Sequence, residues 1–515
     1  MGHRIGGNDV LRVVIVLIAG CAQSAGVAWP LNMGFASGAP VWWLQCGALA
    51  VLPFTVQAST TWRQAAVLGW VFSAAWLCAT FWWLYISMHT YAGLNAYLTG
   101  LAIGALAMAL GGYYALACGA FWRLRGRNPV LVSLLFAALW TIAEMARGTW
   151  FTGFGWGAIG YAHADGPFAA YIPWVGSYGV GALAAWMAIA AVFAVQGNAI
   201  LRIAVGLVIS IALLLPHVSH PWSTSAGTMS VTLLQGNIPQ DEKFQQGSGV
   251  PLALQWYGEQ LARSSTNLVV APETAIPLLP QDLPEEYWGA LNERFAAGSQ
   301  AALVGVPMGS FTKGYTNSVL AFAPQRTAVW QYDKHHLVPF GEFIPPLFKW
   351  FTRMMNIPLG DFNRGAVGQA SFEWMGQRLA PNICYEDLFG EELGARFIDS
   401  AQAPTIFVNA SNIGWFGDTV AIDQHLQISR MRALEFERPM IRATNTGATV
   451  VIDHQGHVTH SLPRLVRGVL VANVEGRTGT TPFAWWVARF GLWPIWILAL
   501  ATVFIAIRAR GIRAR

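Results

Sequence analysis

Long apolar runs lie at both ends of this chain, with an alternating pattern between them. Runs of about 20 residues, long enough to cross a bilayer as a helix, begin near Leu11, Val41, Ala65, Ala96, Pro129, Pro173 and Leu201, and an eighth covers Phe490 to Ile507. This pattern predicts an α-helical transmembrane bundle of eight spans. Residues 1–220 would supply spans one to seven, and residues 483–515 would supply span eight and a basic tail.

Residues 221–482 have a different pattern, in which short β-rich runs alternate with helical ones. Strands are predicted at 229–235, 267–273, 301–307, 317–324, 405–411, 448–456 and 468–474. Helices are predicted at 252–263, 284–295, 386–397 and 419–437. The alternation predicts one layered α/β domain inserted between spans seven and eight. In such domains reacting groups gather where strands end.

Composition agrees with a membrane location, because 54% of the residues are hydrophobic and only 11% are charged. The arginines of the short loops fall in alternate loops, at positions 4, 12, 63, 123, 125, 127, 202, 508, 510, 513 and 515, with Arg147 and Arg489 as close exceptions. Since basic residues stay on the cytoplasmic side, both termini are predicted to be cytoplasmic and the large domain outside. The same arginines explain the net charge of +5, so no nucleic-acid partner is predicted.

Only one of the five cysteines lies in the outer domain. Cys21, Cys46, Cys78 and Cys118 sit in apolar runs, where a thiol behaves as a small hydrophobe. Cys384, in "PNICYEDLFG", stands alone. An odd cysteine in an oxidising compartment is either an intermolecular bridge or a reactive thiol, and the lack of a second outer cysteine favours the reactive thiol.

The run "LIAGC", which ends at Cys21, matches the cleavage box of a bacterial lipoprotein signal, and cleavage would make Cys21 a lipidated first residue. The alternative is a first span that contains these letters by chance. The apolar pattern continues past Cys21 and seven more spans follow, so the sequence favours an uncleaved span.

Three predicted strands end in residues that could perform nucleophilic acyl transfer. Glu273 follows one strand, Lys334 and Glu342 follow another, and Cys384 precedes a predicted helix. A thiol needs a nearby base to become a nucleophile, and Glu273 could be that base. Lys334, one of only four lysines, could hold the charge that develops on a carbonyl oxygen. Taken singly, each has a structural explanation: a helix cap or surface acid, a solvated lysine and a core cysteine.

Five motifs resemble the nitrilase superfamily: "APETAIP", "KHHLVPFGEFIP", "NICYED", "VNASNIGWFGD" and "RALEFERPMIRATNTG". The resemblance implies an αββα sandwich and a Glu-Lys-Cys triad at Glu273, Lys334 and Cys384. The whole arrangement, with this domain between a seventh and an eighth span, resembles the apolipoprotein N-acyltransferase family over essentially the full chain.

That resemblance implies an enzyme of the bacterial inner membrane with a periplasmic catalytic domain. Cys384 would attack the sn-1 acyl ester of a phospholipid, usually phosphatidylethanolamine, to give a thioester acyl-enzyme and a lysophospholipid. The amine of the diacylglyceryl-cysteine at an apolipoprotein N-terminus would then take the acyl chain, a ping-pong course that completes lipoprotein maturation. No cofactor is implied. A monomer is expected, because a bundle that holds both ends of the domain could cover the face through which soluble nitrilases pair.

Five further residues carry over from family motifs. Glu342 is expected to be a second essential acid near Lys334, and Tyr385 and Glu386 to shape the pocket around Cys384. Asn317 and Trp415 lie on other motifs. A role in packing or positioning is the alternative for all five.

Phe244 marks a departure from the family pattern, because related enzymes often carry Trp where this chain reads "GNIPQDEKF". A stacking or packing role survives this change, whereas a role that needs an indole N–H does not.

Two further features suit a lipid substrate. Residues 345–360 crowd apolar side chains around two cations, which predicts an arm that dips into the membrane interface and gates acyl chains. The arm residues are Phe348, Trp350, Phe351, Met354 and Met355. Glu144 and Arg147, three apart on a helix, could hold a lipid headgroup or form a structural pair. The alternative for residues 345–360 is a packed insertion loop.

Parts of the sequence would also fit three other functions. "KHH" at 334–336 with Glu342 could suggest a metal site, but no second cluster stands at ligand spacing, so no metal is predicted. A membrane-tethered amidase or nitrile hydrolase would use the same triad with water as acceptor, but would not need eight spans or an apolar arm. A transporter with an outer receptor domain would need charges along a membrane pathway, and only Glu144 is a candidate.

Overall fold

The structure is a computed structural model that describes residues 7–214, 221–324, 329–345 and 362–511. Two compact units make up the described chain. The helical unit comprises residues before 221 and after 491, and the sandwich unit is Pro221–Gly491. The predicted arm residues 348–355 lie outside the described residues.

In its described residues, the helical unit contains eight α-helices at the places where apolar runs were predicted. They are α1 (Gly7–Val27), α2 (Trp42–Gln57), α3 (Trp62–Phe81), α4 (Ala96–Leu124), α5 (Pro129–Thr149), α6 (Ile172–Gln196), α7 (Ala199–Leu214) and α13 (Trp493–Gly511). A π-helix (Ile86–Tyr91) and 3₁₀ turns (Trp150–Thr152, Ile159–His163, Ala169–Tyr171) connect them. Among the described residues, six helices are long and apolar enough to cross a membrane. The other two, α2 and α7, have 16 described residues each.

Polar caps fix where several of these apolar helices begin. The side chain of Asn128 accepts hydrogen bonds from the backbone N–H groups of Val130 and Leu131, and Pro129 takes the first helical position of α5.

Helices α3 and α4 pack closely because Gly69 leaves room for Cys118, whose sulfur would lie 2.6 Å from a Cβ at that glycine. Cys118 is thus a packing residue, as predicted.

Glu144 and Arg147 are both buried on α5. Within the part of the chain that the structure describes, they form no direct salt bridge with each other. The Glu144 carboxylate accepts a hydrogen bond from the N–H of Ile159 at 2.9 Å. Arg147 donates to the carbonyls of Phe154 (2.6 Å) and Trp156 (2.9 Å). The predicted pairing is therefore replaced by bonds from each side chain to the backbone that follows α5, which fix residues 154–159 against the helix.

The sandwich unit consists of two six-stranded sheets. The strands are β1 (Ser223–Gln235), β2 (Leu268–Val270), β3 (Ala301–Ser310), β4 (Gly314–Phe322), β5 (Trp330–Asp333), β6 (Phe372–Trp374), β7 (Gln377–Ile383), β8 (Ile406–Ser411), β9 (Met440–Thr444), β10 (Val450–Ile452), β11 (Val458–Ser461) and β12 (Gly468–Gly479). Their order is β12-β1-β2-β3-β4-β5 in the first sheet and β11-β10-β9-β8-β7-β6 in the second. The central strands β1-β2-β3 and β7-β8-β9 run parallel.

Helices cover the outer face of each sheet, which gives four layers. The helices are α8 (Gly249–Arg263), α9 (Glu285–Ala296), α10 (Gly390–Gly394), α11 (Ala421–Phe436) and α12 (Pro482–Phe490). Leu268 and Val270 point into the core between the sheets, whereas Val269 and Ala271 face α8 and α9. Burial on both faces explains why these strands read as continuous apolar runs. The predicted nitrilase-like sandwich is confirmed.

Two features differ from the sequence prediction: the end of the sandwich unit, and the structure of residues 386–397. The sandwich unit continues past residue 482, because Phe483, Ala484 and Val487 of α12 pack into its second helical layer. The single helix predicted over 386–397 is wrong: that segment holds a 3₁₀ turn (Cys384–Leu388), the short α10 and a second 3₁₀ turn (Ala395–Phe397). In place of a regular helix, the buried carboxylates of Glu386 and Asp387 turn inward to the distant side chains of Tyr332 and His425.

Candidate active site

The three predicted triad residues lie at strand ends in the sandwich unit. Glu273 follows β2, Lys334 follows β5 and Cys384 follows β7. The segment that carries Glu273 presses against β3, where a Cβ at Gly305 would come within 2.3 Å of the Pro272 carbonyl, so only glycine fits there. The charges of Glu273 and Lys334 both act on the Cys384 thiol. The structure therefore brings the three side chains together.

Lys334 lies between two carboxylates. Its ammonium donates to Glu273 Oε1 at 3.2 Å and to Glu342 Oε1 at 3.0 Å, and its side chain is 1% exposed. Burial alone would lower the pKa of Lys334, but the two carboxylates raise it well above the ordinary value. Lys334 is thus protonated, and Glu342 takes the position beside it that the resemblance implied.

Asn317 joins the two carboxylates directly. Its amide nitrogen donates to Glu273 Oε1 and to Glu342 Oε1, at 2.7 Å in each case. The other oxygen of Glu273 accepts from the backbone N–H of Asn412 at 2.9 Å, a contact that the sequence analysis missed. Burial favours the neutral form of Glu273, but Lys334, the nearby Lys243 and Asn317 outweigh it and lower the pKa of the carboxyl. Glu273 is therefore an ionised carboxylate that is held in a fixed position.

Cys384 occupies a strained turn and carries a neutral thiol. Its φ of +55° lies in the left-handed region, which costs a residue other than glycine about 1–3 kcal/mol. Burial, followed by the negative charge of Glu273, raises the pKa of the thiol to about 12. Lys334 opposes this shift without cancelling it. The thiol can therefore attack only as a base removes its proton.

Glu386 holds the turn of Cys384 against the loop that carries Lys334. One carboxylate oxygen accepts from the N–H groups of His335 (2.6 Å) and His336 (3.1 Å). The other accepts from the N–H of Ile383 (2.6 Å) and the hydroxyl of Tyr332 (2.9 Å). These four donors give Glu386 a positioning role between the two loops.

Replacing Glu386 with Gln is expected to lower both stability and activity. The amide N–H₂ would face at least one backbone N–H, and each donor left unsatisfied costs about 1–3 kcal/mol. The expected result is a lower apparent Tm in detergent and a lower enzyme activity, because the turn that holds the thiol loosens. Glu293→Gln, on the exposed side of α9, is the matched control. An unchanged Tm in the Glu386 variant would contradict the positioning role.

A buried polar cluster behind Cys384 was not predicted. His425 on α11 contacts Asp387 at 2.9 Å and Arg442 of β9 at 3.1 Å, and the Ser429 hydroxyl donates to Asp387. Asn409 donates to the Cys384 carbonyl at 2.9 Å. His425 and Ser429 stand four apart on α11 and therefore share one face of the helix, and that spacing was the available signal.

The remaining predicted residues surround the site in different ways. Tyr385 is buried, and its ring packs edge-on against Phe389 with centroids 5.4 Å apart. Phe244 and Trp415 are half exposed, at 52% and 41%. Both aromatic residues therefore present ring surface outside the core of the unit.

His335 and His336 make protein contacts at the site. His336 Nδ1 lies 2.9 Å from Glu392 Oε1, and His335 Nδ1 lies 2.7 Å from the Gly365 carbonyl. Across the described ranges, no three His, Cys, Asp or Glu side chains are grouped as metal ligands.

Comparison with known proteins covers both units. Residues 25–190 match the apolipoprotein N-acyltransferase N-terminal domain, and residues 230–483 match the carbon-nitrogen hydrolase family. An apolipoprotein N-acyltransferase from Verminephrobacter eiseniae is 56% identical over 92% of both chains. One from Ralstonia nicotianae is 45% identical over 86% of this chain and 85% of the relative.

The chain belongs to the apolipoprotein N-acyltransferase family. Membership in this family supports an acyltransferase enzyme, and together with the six apolar helices it supports a multi-pass membrane protein. A less similar family member, from Neisseria meningitidis serogroup A, is 33% identical over 90% of this chain and 94% of the relative.

Solved structures similar to this member of the apolipoprotein N-acyltransferase family match about half of the chain. A carbon-nitrogen hydrolase from Helicobacter pylori has a TM-score of 0.35 and 18% identity, and covers 52% of this chain and 94% of its own. A nitrilase-superfamily amidase from Nesterenkonia has a TM-score of 0.35 and 17% identity, over 52% and 95%.

Proposed function

We propose that this enzyme moves an acyl chain from the sn-1 position of a phospholipid, phosphatidylethanolamine in the usual case, through a Cys384 thioester to an apolipoprotein. The acceptor is the N-terminal amine of a diacylglyceryl-cysteine. The observation that carries the proposal is the buried Glu273–Lys334–Glu342 cluster acting on Cys384, in a chain of this family.

In the first half-reaction, Glu273 accepts the proton of the Cys384 thiol as sulfur attacks the ester carbonyl carbon. The ammonium of Lys334 stabilises the negative charge that forms on the carbonyl oxygen. The C–O bond to glycerol then breaks, and Glu273 returns the proton to the leaving glycerol oxygen. The products are a lysophospholipid and an acyl thioester on Cys384.

In the second half-reaction, the neutral amine of the acceptor attacks the thioester carbonyl carbon. A C–N bond forms and the C–S bond breaks, while Glu273 carries a proton from the nitrogen to the departing sulfur. Because the first product leaves before the acceptor reacts, the kinetics are ping-pong. A strained turn suits a nucleophile that must present sulfur to two different partners.

The proposal also includes the arrangement of the chain across the membrane. All eight helices cross the bacterial inner membrane, residues 1–220 and 492–515 form the bundle, and both termini lie in the cytoplasm. Residues 221–491 form the catalytic domain in the periplasm, on the side of the membrane where both lipid substrates are presented. The protein acts as a monomer and needs no cofactor. The alternation of arginines between short loops supports this orientation.

Product analysis separates the proposed transfer from hydrolysis. The purified protein is incubated with phosphatidylethanolamine of defined sn-1 chain and a synthetic diacylated lipopeptide, with Cys384→Ala as control. The expected products are lysophospholipid and a lipopeptide heavier by one acyl chain, with its amine blocked. Free fatty acid with unchanged lipopeptide would instead identify a membrane-tethered amidase-type hydrolase that uses water. No product of either kind would refute both activities.

A further inference from the structure

A second buried ammonium, that of Lys243, lies in the candidate site without a direct charged partner. Its side chain is 2% exposed, and its Nζ donates to the backbone carbonyl of Glu273 at 3.0 Å. An ammonium carries three N–H donors. Within the described residues only one of these three has an acceptor, and no carboxylate forms a salt bridge with it.

The Glu273 carboxylate forms no salt bridge with Lys243 within the described residues, and its oxygens bind other groups. Oε1 accepts from Lys334 and Asn317, and Oε2 accepts from the N–H of Asn412. Lys243 nevertheless lies near enough to interact electrostatically with both Glu273 and Cys384. The two remaining donors of Lys243 therefore lie beside the reacting thiol without a protein acceptor.

The loop that carries Lys243 is fixed to the rest of the site. Within it, the N–H of Gln245 donates to the Glu242 carbonyl at 2.7 Å. The side chain of Gln240 accepts from the Asn412 amide at 2.9 Å, which ties this loop to the segment that binds Glu273. Gly249 packs against Glu242, whose carbonyl would lie 2.1 Å from a Cβ at that position. Lys243 is thus held in place before any substrate arrives.

A buried cation without a counter-ion is costly, so its retention indicates an anion that binds there. Burial lowers the pKa of Lys243 to about 8, although the negative charge of Glu273 opposes the shift. An arriving anion would stabilise the charged form of Lys243.

We infer that Lys243 binds the phosphodiester of the acyl donor and makes the first half-reaction selective for phospholipids. The inference rests on the proposed function. In a phospholipid the phosphodiester is joined to the sn-1 ester through the glycerol backbone, so an ester carbonyl at Cys384 brings phosphate oxygens close to the site. Two free N–H donors on one ammonium match an oxyanion of this kind. Phe244, whose ring centroid lies 5.8 Å from the Lys243 nitrogen, lies half exposed beside it.

Donor selectivity tests the inference. Acylation of Cys384 is followed by intact mass with two donors that share the sn-1 chain: phosphatidylethanolamine, and 1,2-diacylglycerol, which lacks phosphate. Lys243→Met removes the ammonium but keeps the length of the side chain. The expected result is a loss of about 10- to 100-fold in kcat/KM for the phospholipid, mostly in KM, as for a charged hydrogen bond. The loss for diacylglycerol should be at least tenfold smaller. Lys313→Met, at an exposed lysine, is the matched control.

Each outcome bears on one proposal. Equal losses with the two donors would overturn phosphodiester binding and assign Lys243 to the oxyanion or to the fold. No loss with either donor would overturn phosphodiester binding and show that acylation does not use the ammonium. Acylation by diacylglycerol, measured on the same preparation, shows that the variant is folded. If the wild-type protein forms no adduct with either donor, the thioester function itself fails and the inference fails with it.

Discussion

Replacing Glu273 with Gln is expected to slow formation of the acyl-enzyme by about 10²- to 10⁴-fold, the range for loss of a positioned general base. The Cys384 thiol has a pKa of about 12 because it is buried and faces a carboxylate, so almost no thiolate exists at neutral pH without a base. The amide of Gln still fits the site but accepts no proton. Quenched-reaction intact mass with phosphatidylethanolamine measures the rate.

The pH profile distinguishes loss of the base from a folding defect. In the wild-type protein the pKa of Glu273 is below the ordinary carboxyl value, so the base form persists down to acid pH and the rate should fall only there. In Glu273→Gln the rate should instead rise as pH increases, because solvent must generate the thiolate. Glu293→Gln, which is exposed, should behave as wild type. A rate for Glu273→Gln within threefold of wild type would assign the base to another group.

Replacing Lys334 with Met should be damaging in two ways. The ammonium is the shared partner of two buried carboxylates, Glu273 and Glu342, and breaking a buried ion pair costs about 3–5 kcal/mol. The developing oxyanion also loses its donor, which lowers the acylation rate by about 10²- to 10³-fold. The expected result is a strongly lowered apparent Tm in detergent and almost no adduct.

A double variant separates the two effects of Lys334. Adding Glu342→Gln to Lys334→Met removes one of the facing charges, so the Tm should recover in part while acylation stays low. Lys313→Met is the control for the loss of a lysine. Recovery of activity together with stability would show that Lys334 acts only on the fold, and a single variant with unchanged Tm would show that the carboxylates do not need it.

The residues at strand ends were readable from the sequence, whereas their partners were not. Glu273 follows the apolar run Leu268–Ala271, and such a run fixes a strand position whatever the detail of packing. Asn317 reaches both carboxylates because β4 pairs with β5, and that register is a long-range property. The contact from Asn412 uses a backbone N–H, which no side-chain pattern reveals.

Buried polar residues limited the prediction of the fold as well. Strand β9 carries Arg442, which is 1% exposed, and so it does not read as an apolar run. The segment after Cys384 has helical spacing, but Glu386 and Asp387 bind groups from β5 and α11 that lie far away in the sequence. The burial of Lys243 could not be predicted from the sequence, because it depends on a loop that is held in place by Asn412.

The intact mass of the detergent-purified protein, after incubation with phosphatidylethanolamine of one defined acyl composition, tests the central claim most directly. The account predicts an adduct of one acyl chain that neutral hydroxylamine removes and that Cys384→Ala lacks. Absence of the adduct from a preparation that transfers acyl chains, or its persistence in Cys384→Ala, would contradict a thioester on Cys384.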